Sequence, residues 1–394
     1  MLKDQKFSIL YGEHLLDVTA ENDLPYLHLF HSIPLAYDNQ IPIIFNISKI
    51  NSPVSVDYEF VDDVNPPNRL LKIGLGGMSR GDRITIRFDY FVVIRDDVVG
   101  EKKVVNVEDV EIWKKPSASV QSNNLLIKTV GRILKGLSHD EMKITKRISY
   151  YSCFHNFFFT LVRHALERNS LLNRVFMPDK YWPVLSDALS SLILGGLCNA
   201  QTNLAVALLR SIGIPARVLI GTSMFYGKSR WMDAQHYFFE CFLHGYGWIK
   251  GTPGRFPDDP THCILLRISY PEDEETAGNG LSYYGGSVPW FWFSEEGLNQ
   301  KKGLSGLRVS PGVRGWVECG FTEKKEVVDE VLNVTKKVWE IYTQIFRSDN
   351  FVDERFIRWF ACHKDSVKLL VNGDVKGYVR SMNEVYKNYV SFFG

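Results

Sequence analysis

Several things this chain lacks narrow its chemistry. Its six cysteines, Cys153, Cys198, Cys241, Cys263, Cys319 and Cys362, lie scattered, with no close pair and no C-x-x-C. That spacing fits a reduced, cytoplasmic protein better than a disulfide framework. Charge of one sign is missing too: 46 basic residues face 45 acidic ones, for a net charge of +1. Neither nucleic acid nor an anionic membrane is therefore expected as a partner. No apolar run approaches the ~18 residues of a membrane span, and the most apolar stretch, Leu185 to Leu197, is broken by Asp187 and serines. The start, Met1 to Lys6, has no signal-peptide core, since Asp4 and two lysines interrupt it. Repeats and low-complexity segments are absent. Cys241, His244, His262 and Cys263 have the chemistry of metal ligands, but adjacent residues on a strand face opposite ways. No metal and no cofactor is assigned.

What is present is a long chain of ordinary globular make-up. Its 394 residues are 45% hydrophobic and 23% charged, enough for two or three domains. Residues 1–115 read as β. Arg83 to Tyr90 alternates apolar and polar, and similar runs sit at Ile43–Ile50, Val54–Phe60, Leu70–Leu75 and Val104–Ile112. Short strands at this spacing predict a sandwich-like domain. Residues 116–320 hold helical patterns at Leu125–Leu137 and Asp140–Asn169, then a segment of mixed character. The acidic run Glu272–Glu275 within it reads as an exposed loop. Residues 321–394 are helical, with Val327, Val331, Val334, Val338, Ile341 and Ile345 forming an apolar stripe, and with further helices at Asp353–Val371 and Asp374–Phe392.

The most informative stretch runs from Gly195 to Arg217. Cys198 follows two glycines where a helical pattern begins, with Leu204, Ala207, Leu208 and Ile212 on one face and Gly213 and Pro215 as the stop. A thiol at a helix N-terminus meets the positive end of the helix dipole, which favours the thiolate. The plainer alternative is a cysteine packed as a small hydrophobe. Downstream, Ala216–Gly221 and Gln235–Leu243 read as strands, the second carrying His236. A turn at Gly245–Gly247 then leads to a short strand, Trp248–Gly251.

This order resembles the transglutaminase-like superfamily of papain-type thiol enzymes. Three pieces carry the resemblance. Gly196 and Cys198 lead into a helix ending in Leu208-Leu209-Arg210-x-x-Gly213-Ile214-Pro215-Ala216-Arg217. His236 is followed by Phe238 and Glu240. Gly247-Trp248 closes a hairpin, with Pro253 five residues beyond the tryptophan. The resemblance implies an α+β fold: a helix carrying the cysteine packed on an antiparallel sheet, flanked by the N-terminal β-sandwich-like domain and the C-terminal helical region. It also implies Cys198 as nucleophile, His236 as base, and acyl transfer or hydrolysis on a peptide, protein or small amide through an acyl-enzyme. The oligomeric state is left open.

One position departs from the family. The third catalytic residue is usually an aspartate directly before the proline that follows the tryptophan, and here that residue is Thr252. A threonine hydroxyl can accept from the imidazole and fix its tautomer, but it brings no charge. Asp258 or Asp259 could reach back if the intervening turn folds inward. A degenerate site, kept as a binding or assembly scaffold, is the alternative. Trp182, Trp290 and Trp292 are candidate walls of a substrate groove, although such residues more often fill a core.

Overall fold

The computed structural model describes residues 4–37, 39–63, 65–96, 110–167, 187–223, 235–258, 263–271, 274, 291–293 and 307–393. Six strands come first: β1 (Asp4–Ala20), β2 (Leu27–Ser32), β3 (Gln40–Asn51), β4 (Val56–Asp62), β5 (Arg69–Leu75) and β6 (Arg83–Arg95). The alternation that predicted β6 is the cause of its placement. Ile84, Ile86, Phe88, Tyr90 and Val92 are buried on one face, while the residues between them stay partly open. The run read as a strand at Val104–Ile112 differs. Its residues 104–109 lie outside the described set, and Glu111–Lys114 forms a single 3₁₀ turn that buries Trp113.

The helices α1 (Leu125–Lys135), α2 (Glu141–Glu167), α3 (Ala188–Leu194) and α4 (Cys198–Ser211) follow, then β7 (Ala216–Ser223), β8 (Gln235–Leu243), β9 (Gly247–Gly251) and β10 (Cys263–Ser269). Two more strands, β11 (Phe291–Phe293) and β12 (Leu307–Lys324), precede the terminal helices α5 (Lys325–Ile345), α6 (Glu354–Val371) and α7 (Val375–Phe393). No single helix among the described residues is long and apolar enough to cross a membrane.

Three four-stranded sheets organise these elements, in the orders β12-β1-β6-β3, β11-β2-β5-β4 and β10-β7-β8-β9. The first two share a core and make the sandwich, and α5, α6 and α7 pack into that same core. The apolar stripe of α5 therefore turns inward: Val331, Val334 and Val338 are buried with Ile43 and Phe45 of β3. Strand β11 and most of β12 lie within the stretch read as the thiol core, and both pair with the sandwich. β12 runs antiparallel to β1 from Asp4↔Lys324 to Ala20↔Leu307.

The third sheet carries α4 on one face. Phe239, Cys241 and Leu243 of β8 pack with Leu204 to Leu209 of α4, with α1, α2 and α3 closing around them. Almost the whole of α4 is buried, as a central helix must be when apolar residues surround it. On the opposite face, Phe238 packs with Leu219, Leu265, Trp113 and Leu35.

The sandwich covers the edge of this sheet at β10. The Gln40 side-chain amide donates to the Leu265 carbonyl (2.9 Å) and accepts from its N–H (2.8 Å). Asn68 does the same at Ile268, with 2.8 Å for each bond. Two side chains thus stand in for a neighbouring strand, which removes an edge open to unwanted pairing.

Candidate active site

Cys198 is the first residue of α4, and its N-cap, Leu197, contributes no side-chain hydrogen bond. In the first turn the Ala200 N–H is taken by the Asn199 side chain (2.8 Å). α3 ends at Gly195, whose positive φ of 74° lets the chain turn sharply, and the two helices meet at 110°. One turn beyond Cys198, Thr202 Oγ1 donates to the Tyr237 carbonyl (3.2 Å). This bond ties the start of α4 to the start of β8, next to His236.

His236 pairs across β7 with Gly221 and shares its strand face with Phe238, their rings meeting edge to face at 4.8 Å. That face is opposite the one α4 covers. The buried Nε2 of His236 has no hydrogen-bond partner among the described residues. Burial pulls the imidazole pKa below its ordinary value. The Asp258 carboxylate opposes that effect, and the Lys250 ammonium adds to it.

Thr252 follows β9 in a tight turn, its N–H and carbonyl both paired with Arg255. Its hydroxyl donates to Asp258 Oδ2. Asp258 is buried, donates its own N–H to the Lys250 carbonyl (3.0 Å) and lies 3.4 Å from the Arg255 guanidinium. Ser149 of α2 donates to the Thr252 carbonyl (2.9 Å), which anchors the turn from the helical side. Asp259 lies outside the described residues.

The other motif residues are brought together as architecture. Arg217 donates twice to Glu240 Oε2 (3.0 and 2.8 Å) and stacks over the Trp248 ring at 3.8 Å, with Tyr37 OH donating to the same carboxylate oxygen (2.9 Å). Arg210 makes a bidentate pair with Glu274 (2.8 Å for each bond) and donates to the carbonyls of Ala216 (2.8 Å) and Lys115 (2.9 Å). Ser117 donates to the same glutamate (2.6 Å). The acidic run expected as an exposed loop thus sends Glu274 into the interior, because a buried guanidinium requires a carboxylate partner. Sequence reasoning quoted Arg210, Arg217 and Glu240 only as motif letters. The signal that could have marked them is a fixed charged residue inside otherwise apolar runs.

The tryptophans divide differently. Trp182 and Trp290 lie outside the described residues, and the backbone of Trp292 belongs to β11, paired with Phe30 in the sandwich sheet. The candidate zinc ligands do not converge: Cys241 is buried on the α4 face, Cys263 on the other, and His262 is outside the described set. Among the described residues no group of three His, Cys, Asp or Glu side chains is placed to hold a metal.

A helix with cysteine at its N-terminus, packed on an antiparallel sheet that carries a histidine, defines the papain-type thiol fold. Residues 168–253 match the Transglutaminase-like superfamily, and the chain carries that superfamily's fold. Among solved structures, a proposed cysteine protease from Cytophaga hutchinsonii is similar at 13% identity and a TM-score of 0.49, over 81% of this chain and 91% of that one. The periplasmic domain of TgpA from Pseudomonas aeruginosa is similar at 16% identity and a TM-score of 0.26, over 60% of this chain and 86% of that one. The same domain bound to ethylmercury gives 13% and 0.27. No curated protein matches the chain. TgpA's domain is periplasmic, which conflicts with the cytoplasmic setting expected from the cysteines, and that expectation does not stand. The six cysteines are all free, and a chain without disulfides can reside in either compartment.

Proposed function

We propose that the protein is a thiol enzyme that transfers an acyl group from a peptide, protein or small amide substrate to water or an amine. Cys198 attacks the carbonyl, His236 takes the thiol proton and later protonates the leaving amine, and the acyl-enzyme is released by the acceptor. A backbone N–H in the first turn of α4 is the donor available to the developing oxyanion. The observation that carries this reading is the placement of Cys198 at the first position of α4, tied through Thr202 to the strand position beside His236. Burial lowers the imidazole pKa, which favours the neutral form a general base requires.

A second reading, a scaffold that binds without chemistry, draws on Thr252 in the place of the usual acid. The two readings separate on one experiment. A panel of peptide amides and esters is turned over by the wild-type chain and not by Cys198→Ala if the enzyme reading holds. Equal turnover by both rules out Cys198 as the nucleophile, and turnover by neither together with tight binding of a panel member favours the scaffold.

A further inference from the structure

We infer that Asp258, reached through the hydroxyl of Thr252, is the carboxylate that positions His236 and supports its charged form. The inference rests on the proposed Cys198–His236 chemistry and assigns the role that the Thr252 departure leaves vacant.

Three observations carry it. Thr252 is one register step beyond the Phe239↔Gly251 pair, so it lies on the strand face shared by Phe238 and His236. Its hydroxyl is already committed as a donor to Asp258, which leaves its oxygen lone pairs as the acceptor for an imidazole N–H. Asp258 is itself buried, and a carboxylate held out of water needs an opposite charge to offset its desolvation. Arg255 on the same turn is one such cation, and the imidazolium formed during catalysis would be a second.

The chain Asp258–Thr252–His236 therefore supplies in two steps what an aspartate at position 252 would supply in one. Insertion of a neutral hydroxyl lengthens the distance between the charges and weakens their attraction, which varies inversely with distance. Lys250 faces the same imidazole and works against the charged form, and its ammonium is held 2.7 Å from Cys263 Sγ. The balance between Asp258 and Lys250 then sets how readily His236 accepts the proton of Cys198.

The test follows iodoacetamide labelling of Cys198, read on its own peptide by mass spectrometry, from pH 5.5 to 9.5. Cys241, Cys153 and Cys319 have thiols pushed up by burial, the last to about 11, and they label slowly across this range. In Asp258→Asn the labelling rate at pH 6.5 is expected to fall about tenfold, the consequence of a one-unit shift in the pH profile, with little change at pH 9.5. Thr252→Val, which keeps the carboxylate and removes the bridge, is expected to fall in the same direction. The double variant Thr252→Asp with Asp258→Asn is expected to recover the low-pH rate, which no purely structural role of Asp258 would produce. A wild-type low-pH rate that depends on His236 but is unchanged in Asp258→Asn and Thr252→Val overturns the inference and leaves the thiol enzyme standing. A wild-type rate that is indifferent to His236→Ala overturns both. Thr252→Val keeps the carboxylate in place, so it remains informative if Asp258→Asn unfolds.

Discussion

The two ends of β8 face the same side of one sheet and treat their ionisable groups in opposite ways. At Glu240, each demand is met: Arg217 donates twice, Tyr37 donates once, and the Trp248 ring covers the guanidinium. At His236, four residues earlier, a buried ring nitrogen has no hydrogen-bond partner among the described residues, and the Asp258 carboxylate opposes the effect of burial on the imidazole. Folding selects against unsatisfied buried polar atoms. A strand that satisfies one end and leaves the other open separates residues that hold the sheet from residues available for chemistry.

The sharpest way to break this comparison is at the nucleophile. Cys198→Ala is expected to lower acyl-transfer turnover by at least about a thousandfold, with an unfolding midpoint close to wild type because the residue is only half-buried. Steady-state kinetics and a denaturant titration check the two halves.

At the satisfied end, Glu240→Ala strands the buried Arg217 and is expected to cost about 3–5 kcal/mol of stability, read from urea unfolding. Low-pH labelling of Cys198 should fall no more than the overall unfolded fraction explains. A selective loss of labelling in a fully folded variant would erase the distinction between the two ends.

The sandwich offers a control for what burial alone does to histidine. His14 and His31 are buried, joined at 3.2 Å, and His14 also contacts Tyr90 (2.6 Å) and Thr222 of β7 (3.3 Å). Burial pushes His31 down to about 4 and His14 well below its ordinary value. Folded pKa values below the unfolded value mean that the unfolded chain binds protons first as pH falls. Stability is then complete above about pH 6.5 and declines toward pH 4, by roughly 3 kcal/mol for His31 alone. Thermal unfolding between pH 7.5 and 4.5 checks this, and His31→Gln should flatten the curve. His236, with Asp258 opposing its burial, should contribute less to this decline. A smaller effect still is expected from Trp248→Leu, about 1–2 kcal/mol from the lost stacking on Arg217, again without a change in the labelling profile.

Much of this was legible before any coordinates. Periodicity located β6, α1, α2, α4 and the three terminal helices to within a few residues, because each buries one face at a fixed local spacing. The glycine–cysteine junction marked the start of α4, and the aromatic strand marked β8. Strand β10 was missed: all of its residues are buried, so it lacks alternation, and its partners are β7 and the side chains of Gln40 and Asn68. The pairing of β12 with β1 was missed because hydrophobic pattern gives a strand's face and not its partner.

The sequence by itself therefore determined the local elements, the helix end that carries Cys198 and the chemistry its residue types allow. Tertiary structure decided which polar groups meet: Glu274 with Arg210, Glu240 with Arg217, and Asp258 with the hydroxyl in the aspartate's usual place. The reason is physical. Backbone periodicity is written in neighbours three or four positions away, whereas a buried charge is paired by whatever the assembled core brings within hydrogen-bond reach.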